Sequence, residues 1–134
     1  MIEIVPMVMV DGIWPKVQKG FAEACRKGGE QFSEAWLHVT CRRGDAYLCL
    51  MHEDNDIYTA MVLQEQQWQD RQVLYVLATT GHDRKDWWKD VIDWATVTFP
   101  GCKNFVFEGR PGWGKMPGVR VLRHCYEMDM DHGL

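Results

Sequence analysis

No apolar run in the sequence approaches the ~18 uninterrupted residues that a membrane-spanning helix needs. The opening MIEIVPMVMVDG has neither the basic start nor the small-residue cleavage site of a signal peptide. Both absences lead to the expectation of a cytoplasmic protein without a membrane partner. There is no surplus of positive charge: Lys and Arg number 15 against 19 Asp and Glu, a formal net charge of −4. That balance argues against a general nucleic-acid binder. The five cysteines, at 25, 41, 49, 102 and 125, form no CxxC pair. An odd count without that spacing reads as reduced thiols, mostly buried. Cys41, Cys49 and His52 match no zinc-ligand spacing, and the remaining histidines are scattered singly, so no metal site is expected. Repeats, low-complexity segments and linkers are also missing.

What is present is a single-domain sequence of ordinary globular make-up. Its 134 residues are 46% hydrophobic and 25% charged, enough for one core. Seven tryptophans in so short a chain bring large burial to that core. The patterning predicts a first strand over 2–9 and then a helix, with Asp11 as its cap and Pro15 in its first turn. Trp14, Val17, Phe21 and Cys25 lie at helical spacing up to Gly28 and Gly29. A second helix is predicted over 30–42, with Phe32, Ala35, Trp36 and Val39 on one side. AYLCLMHED and IYTAMVLQEQQW are apolar on both strand faces and pair as a hairpin through Asn55 and Asp56. QVLYVLATT reads as a third such strand. A tight turn at Gly81 opens an amphipathic helix over about 83–99, with Trp88, Val91 or Ile92, Ala95 and Phe99 facing inward. KNFVFEG reads as a further central strand, RPGWGKMPG as a glycine-rich loop, and VRVLRHCYEMDM as a long last strand. The expected order is β-α-α-β-β-β-α-β-turn-β, a mixed sheet with helices on both faces.

That order, with LYV…WWKDVIDWA…GCKNFVFEG, resembles the GNAT superfamily of acyl-CoA-dependent N-acetyltransferases over nearly the whole of residues 1–134. The stretch IDWA…GCKNFVFEGRPGWGKM…VLRHCYEMDM is similar, more narrowly, to small GNAT-like proteins encoded by tailed phages and prophages. The resemblance implies an α/β fold with a mixed, mostly antiparallel sheet. It also implies that one central strand parts from its neighbour so that acetyl-CoA fits into the opening. By element order that strand is 73–79, which assigns Leu77, Ala78 and Thr79 to the cofactor's backbone contacts. Gly81, His82, Arg84 and Lys85 fall in the loop that meets the pyrophosphate at the start of the next helix. Family enzymes deprotonate the amine with a carboxylate or an ordered water, and a tyrosine often reprotonates the leaving thiolate. The family's usual tyrosine position falls in GRPGWGKMPG, which has Trp113 and no tyrosine. Tyr75, Glu108 and Tyr126 are therefore the candidate catalytic residues.

The loop departs from the family pattern. TTGHDRKD has one glycine where the family has a Gln or Arg, two residues, Gly, one residue and then Gly or Ala. Fewer glycines leave fewer places where backbone approaches a diphosphate closely. Asp83 and Asp86 bring carboxylates to the same amides. Two roles are therefore open: an N-acetyltransferase with a degenerate cofactor loop, or a non-catalytic GNAT-fold phage protein. The second would be a virion or assembly component, or an effector bound to a host protein. For such a partner the candidate contacts are Arg110, Trp113 and Lys115, or Trp87. Within the fold, Trp113 has a second reading, as a plug at the end of the sheet.

Overall fold

The computed structural model describes residues 1–28, 31–81, 87–109 and 111–131. The elements in chain order are β1 (Ile2–Ile4), α1 (Val10–Lys27), α2 (Glu34–Arg42), β2 (Tyr47–Glu53), β3 (Asp56–Gln67), β4 (Gln72–Thr79), α3 (Trp87–Thr98) and β5 (Asn104–Val106). The five strands form one sheet in sequential order, β1-β2-β3-β4-β5. The first three pairings are antiparallel, and β4 and β5 run parallel, joined across α3. The fold is α/β with a mostly antiparallel mixed sheet.

Strand alternation sends successive side chains to opposite faces, and both faces are covered. On one face Leu48, Leu50, Ala60 and Val62 pack against Val10, Trp14, Val17 and Phe21 of α1 and Leu37 and Cys41 of α2. On the other, Cys49, Met51, Met61, Leu63 and Leu74 pack against Val91 and Ala95 of α3 and Phe99 just after it. This double cover explains why β2 and β3 read as apolar on both sides. It also puts Cys41 and Cys49 in separate cores. None of the five cysteines is bridged; two are buried, two half-buried and Cys125 is exposed. Burial alone pushes the Cys41 thiol up to about 12, which keeps it protonated and unreactive.

Several boundaries differ from the sequence expectation. Pro6 has no N–H to give a ladder, so β1 stops at Ile4 and a 3-10 turn, Met7–Met9, leads into α1. Helix α1 starts at Val10, so Asp11 is inside its first turn and Pro15 lies inside the helix. Asp11 ties the two helices together instead of capping one. Its Oδ1 accepts from His38 Nε2 at 2.7 Å and from Arg42 Nε at 2.9 Å. Helix α2 is shorter than predicted because Ser33 caps it, its Oγ accepting from the Trp36 amide at 3.0 Å. Its core face is Leu37, Thr40 and Cys41, not the Phe32–Trp36 side. Those two rings stack on each other at 4.7 Å, with Phe32 half-buried beside the core and Trp36 exposed. Asp54 and Asn55, with φ of 51° and 72°, form the β2–β3 turn, one position earlier than expected and of the type whose twist suits a hairpin.

The largest difference is at the C-terminus. Residues 119–130 form no strand, and all but Val119 are exposed. Alternation alone does not make a strand; a hydrogen-bonding neighbour is needed. The parallel pairing leaves β5 only three residues long, and it lies at the edge of the sheet rather than in its centre.

Gly20 shows how tightly α1 meets the sheet. A Cβ there would stand 2.7 Å from Thr80 Cγ2. Thr80 has little freedom, since its Oγ1 accepts from the Ala60 amide at 2.8 Å and its carbonyl accepts from Thr59 Oγ1 at 2.8 Å. Alanine in place of a mid-helix glycine is normally stabilising by roughly 0.5–1 kcal/mol. Here Gly20→Ala is expected to destabilise by about 1–3 kcal/mol through overpacking, measured by urea unfolding; a more stable variant would contradict this packing. A second test concerns acid. The hydrogen bonds from Arg42 and His38 hold the Asp11 carboxyl below its ordinary 3.8. Its contribution is fully present above about 3.8 and lost as pH falls through the lower folded value. Asp11→Asn should therefore flatten the loss of stability with falling pH in that window, followed by thermal melts.

Candidate active site

The site begins with a register irregularity. In the β3–β4 ladder Leu63 pairs with Val76 and Val62 with Ala78, so Leu77 is an extra residue on β4. A bulge of this kind bends its strand and increases the local twist. On the other side of β4, pairing with β5 covers Val73↔Asn104, Leu74↔Phe105 and Tyr75↔Val106, and then stops. Beyond Tyr75, residues 76–79 of β4 have β3 on one side and, among the described residues, no strand on the other. The two parallel strands thus part where the sequence resemblance implied an opening. Thr80 anchors the far end of β4, its amide donating to the Ala60 carbonyl at 2.9 Å.

Leu77, Ala78 and Thr79 lie along this opened length, all half-buried. Gly81 follows them; it is exposed, and a Cβ built on it would meet nothing within 4 Å among the described residues. His82, Arg84 and Lys85 lie outside the described residues, as does the predicted helix start before Trp87.

Tyr75 and Glu108 come together at the fork. Val106 pairs with Tyr75, and Glu108, two residues further on, shares its face. The Tyr75 hydroxyl donates to Glu108 Oε1 at 2.6 Å, a short bond to an ionised acceptor and so among the stronger kinds. Burial, then the hydrogen bond and charge of Glu108, push the Tyr75 phenol up from its ordinary 10.0, while Arg123 acts in the opposite direction. At neutral pH Tyr75 is a proton donor and Glu108 its acceptor. Tyr126 is 87% exposed and its ring lies 6.2 Å from that of His124, on the unpaired C-terminal segment.

A cleft of about 820 Å³ runs along the free edge of β5 between that edge and residues 118–125, with Tyr75 and Glu108 in its wall. Arg71, Arg120 and Arg123 line it too. Arg71 and Arg123 place their guanidinium carbons 5.2 and 5.9 Å from the Trp68 ring centroid. Sequence reasoning missed this trio. It assigned Arg123 to one strand, Trp68 to the end of another and Arg71 to the turn that follows it, and no spacing rule joins a turn to a segment some fifty residues later.

Trp113 lies in the Pro111–Lys115 3-10 turn. Its ring is 5.2 Å from Phe107 and 6.5 Å from Trp87, and a Cβ on Gly109 would sit 3.3 Å from it. It closes the end of β5 against the start of α3. Trp87 is half-buried beside the α3 core, and Lys115 is exposed. Arg110 lies outside the described residues.

The sequence matches no family model and no curated protein. Solved structures do match. A ribosomal-protein-alanine N-acetyltransferase from Brucella melitensis superposes with a TM-score of 0.66 at 10% identity, over 96% of this chain and 99% of that one. An aminoglycoside acetyltransferase from an uncultured soil metagenomic sample gives 0.63 at 13%, over 97% and 96%. A GNAT family acetyltransferase from Staphylococcus aureus gives 0.61 at 12%, over 97% and 98%. At these identities the likeness establishes the fold: the chain has the fold of the GNAT acetyltransferases, end to end. No helix among the described residues is long and apolar enough to cross a membrane.

The Tyr75–Glu108 pair has a direct spectroscopic test. Subtracting the ultraviolet phenolate titration of Tyr75→Phe from that of the native protein isolates Tyr75 from the other tyrosines. The difference curve should rise above 10.0, and Glu108→Gln should move it partway back. A midpoint at or below 10.0 would show the pair is not formed.

Proposed function

We propose that the protein is an N-acetyltransferase that moves an acetyl group from acetyl-CoA to a primary amine, with Glu108 as base and Tyr75 as acid. The carrying observation is the fork: two parallel strands separating after three residue pairs, with a Tyr–Glu hydrogen bond at the point of separation. The fit of the cofactor rests on two features. Among the described residues, 76–79 of β4 offer backbone groups on a side no strand uses, and a Cβ at Gly81 beyond them would meet nothing within 4 Å. Leu77, Ala78, Thr79 and Gly81 are the residues that would hold it.

Acetyl-CoA, when bound, supplies the acetyl group as a thioester. The chain's own residues manage protons. An amine arriving as ammonium gives one proton to the Glu108 carboxylate and becomes nucleophilic. Tyr75, kept protonated by burial and by Glu108, donates to the thiolate and is recharged from Glu108. One C–N bond forms as one C–S bond breaks. Of the two protons the nitrogen loses, one ends on sulfur and one in solvent. The same hydrogen bond that holds the pair is the route between them. General acid–base participation of this kind is worth about 10²–10⁴-fold in rate.

Calorimetric and thermal-shift titration with acetyl-CoA tests the reading. Ligand at 100 times its dissociation constant should stabilise the fold by about 2.7 kcal/mol. Tyr75→Phe and Glu108→Gln should bind acetyl-CoA as the native protein does but release thiol about 10²-fold or more slowly with an amine acceptor. Absence of any stabilisation at millimolar acetyl-CoA would refute the reading.

A further inference from the structure

The charge in the cleft runs against the charge of the chain. The protein carries a formal −4, yet the cleft beside β5 is lined by three arginines, Arg71, Arg120 and Arg123, and by one carboxylate, Glu108. Concave surfaces lined by one sign of charge concentrate ligands of the other sign. Two of the arginines share an aromatic neighbour. Arg71 and Arg123 both lie within 6 Å of the Trp68 ring centroid. A guanidinium over an indole face is attracted to it and still has edge donors to offer a carboxylate.

Those donors are largely uncommitted. Arg71 gives Nη1 to Asp70, at 3.0 and 3.3 Å to the two oxygens, but its buried Nε has no hydrogen-bond partner among the described residues. Arg123 makes no ion pair among the described residues; its guanidinium lies by the Trp68 ring and reaches the Tyr75 hydroxyl with part of its fork. A planar bidentate anion is what such a fork of N–H groups recognises best. In the same wall stands the accepting group, the Glu108 carboxylate, with Tyr75 donating to it. The cleft thus has a carboxylate for an ammonium and guanidiniums for an anion. At about 820 Å³ it falls in the range of small-molecule sites, ~300–1,000 Å³.

We propose that this cleft binds the acyl acceptor and that the acceptor is a small amine carrying a carboxylate, of the amino-acid class. Its ammonium faces Glu108, and its carboxylate faces Arg123 with Arg71. A polycationic amine would bring its further positive charges against three guanidiniums, with Glu108 the one carboxylate in the lining. The assignment of the cleft to an acceptor rests on the acetyltransferase reading; its ligand preference does not.

The test is therefore binding without cofactor. The twenty amino acids and their C-terminal amides are offered to the native protein and to Arg123→Ala, with affinity read by ligand-observed NMR and calorimetry. At least one amino acid should bind saturably, with its amide at least tenfold weaker. Arg123→Ala should remove that difference while leaving the melting temperature and acetyl-CoA affinity unchanged, because Arg123 is exposed. The proposal is overturned if no amino acid binds, if acid and amide bind alike, if Arg123→Ala keeps the preference, or if it weakens acetyl-CoA instead. A protein that prefers the acids but ignores acetyl-CoA would refute the transfer reaction and uphold the cleft's specificity. One that binds acetyl-CoA without that preference would do the reverse.

Discussion

One extra residue in β4 governs the arrangement of the site. With Leu77 unmatched in the β3–β4 ladder, β4 cannot stay flush with both neighbours. It keeps β3 and loses β5. The opening between β4 and β5 follows from that choice. The parallel pairing ends at Tyr75, and residues 76–79 are left, among the described residues, with no strand on one side. An unpaired strand side inside a protein is ordinarily unfavourable, because backbone N–H and C=O groups need partners. Here the cost sits at the place where a ligand can supply them, the usual logic of a binding site built into a fold.

The rest of the molecule makes that local irregularity tolerable. The sheet is packed on both faces, with Phe21 and Leu37 fully buried on one side and Met61 and Leu63 on the other. The far end of β4 is fixed through Thr80, which bonds β3 and lies against Gly20 of α1. The near end is fixed by the three pairs with β5. Between two anchored ends, the departing stretch has a defined path. Tyr75 and Glu108 then tie the separated strands across the fork by a single short hydrogen bond, which fixes the reactive groups as well as the shape.

Much of this was legible in the sequence because it depends on local pattern. β2 and β3 announce double burial by having no polar face. The Trp14-Val17-Phe21 stripe gives the core side of α1; of the inward stripe expected for α3, Val91, Ala95 and Phe99 are buried, while Ile92 is exposed and Trp87 rather than Trp88 packs beside them. Tyr75 and Glu108 were both singled out, although nothing in the spacing joined them; their meeting depends on Val106 being in register with Tyr75, a tertiary fact. The failures have the same origin. Around α2 the large rings of Phe32 and Trp36 outweighed the smaller Leu37-Thr40-Cys41 stripe, yet the rings stack on each other, Trp36 exposed and Phe32 half-buried at the margin of the core. Residues 119–130 alternate as a strand would, but β5 is too short to pair with them. The arginines around Trp68 come from a turn and a segment far apart in the chain, so only the fold brings them together.

The central claim is that residues 76–79 of β4 have backbone groups reserved for a ligand and not for a strand. Amide hydrogen exchange over residues 76–81, with and without acetyl-CoA, examines this most directly. The account predicts exchange in the free protein faster than in the neighbouring β3, and marked slowing over this segment when acetyl-CoA is added. Full protection without ligand, or exchange indifferent to it, would contradict the account.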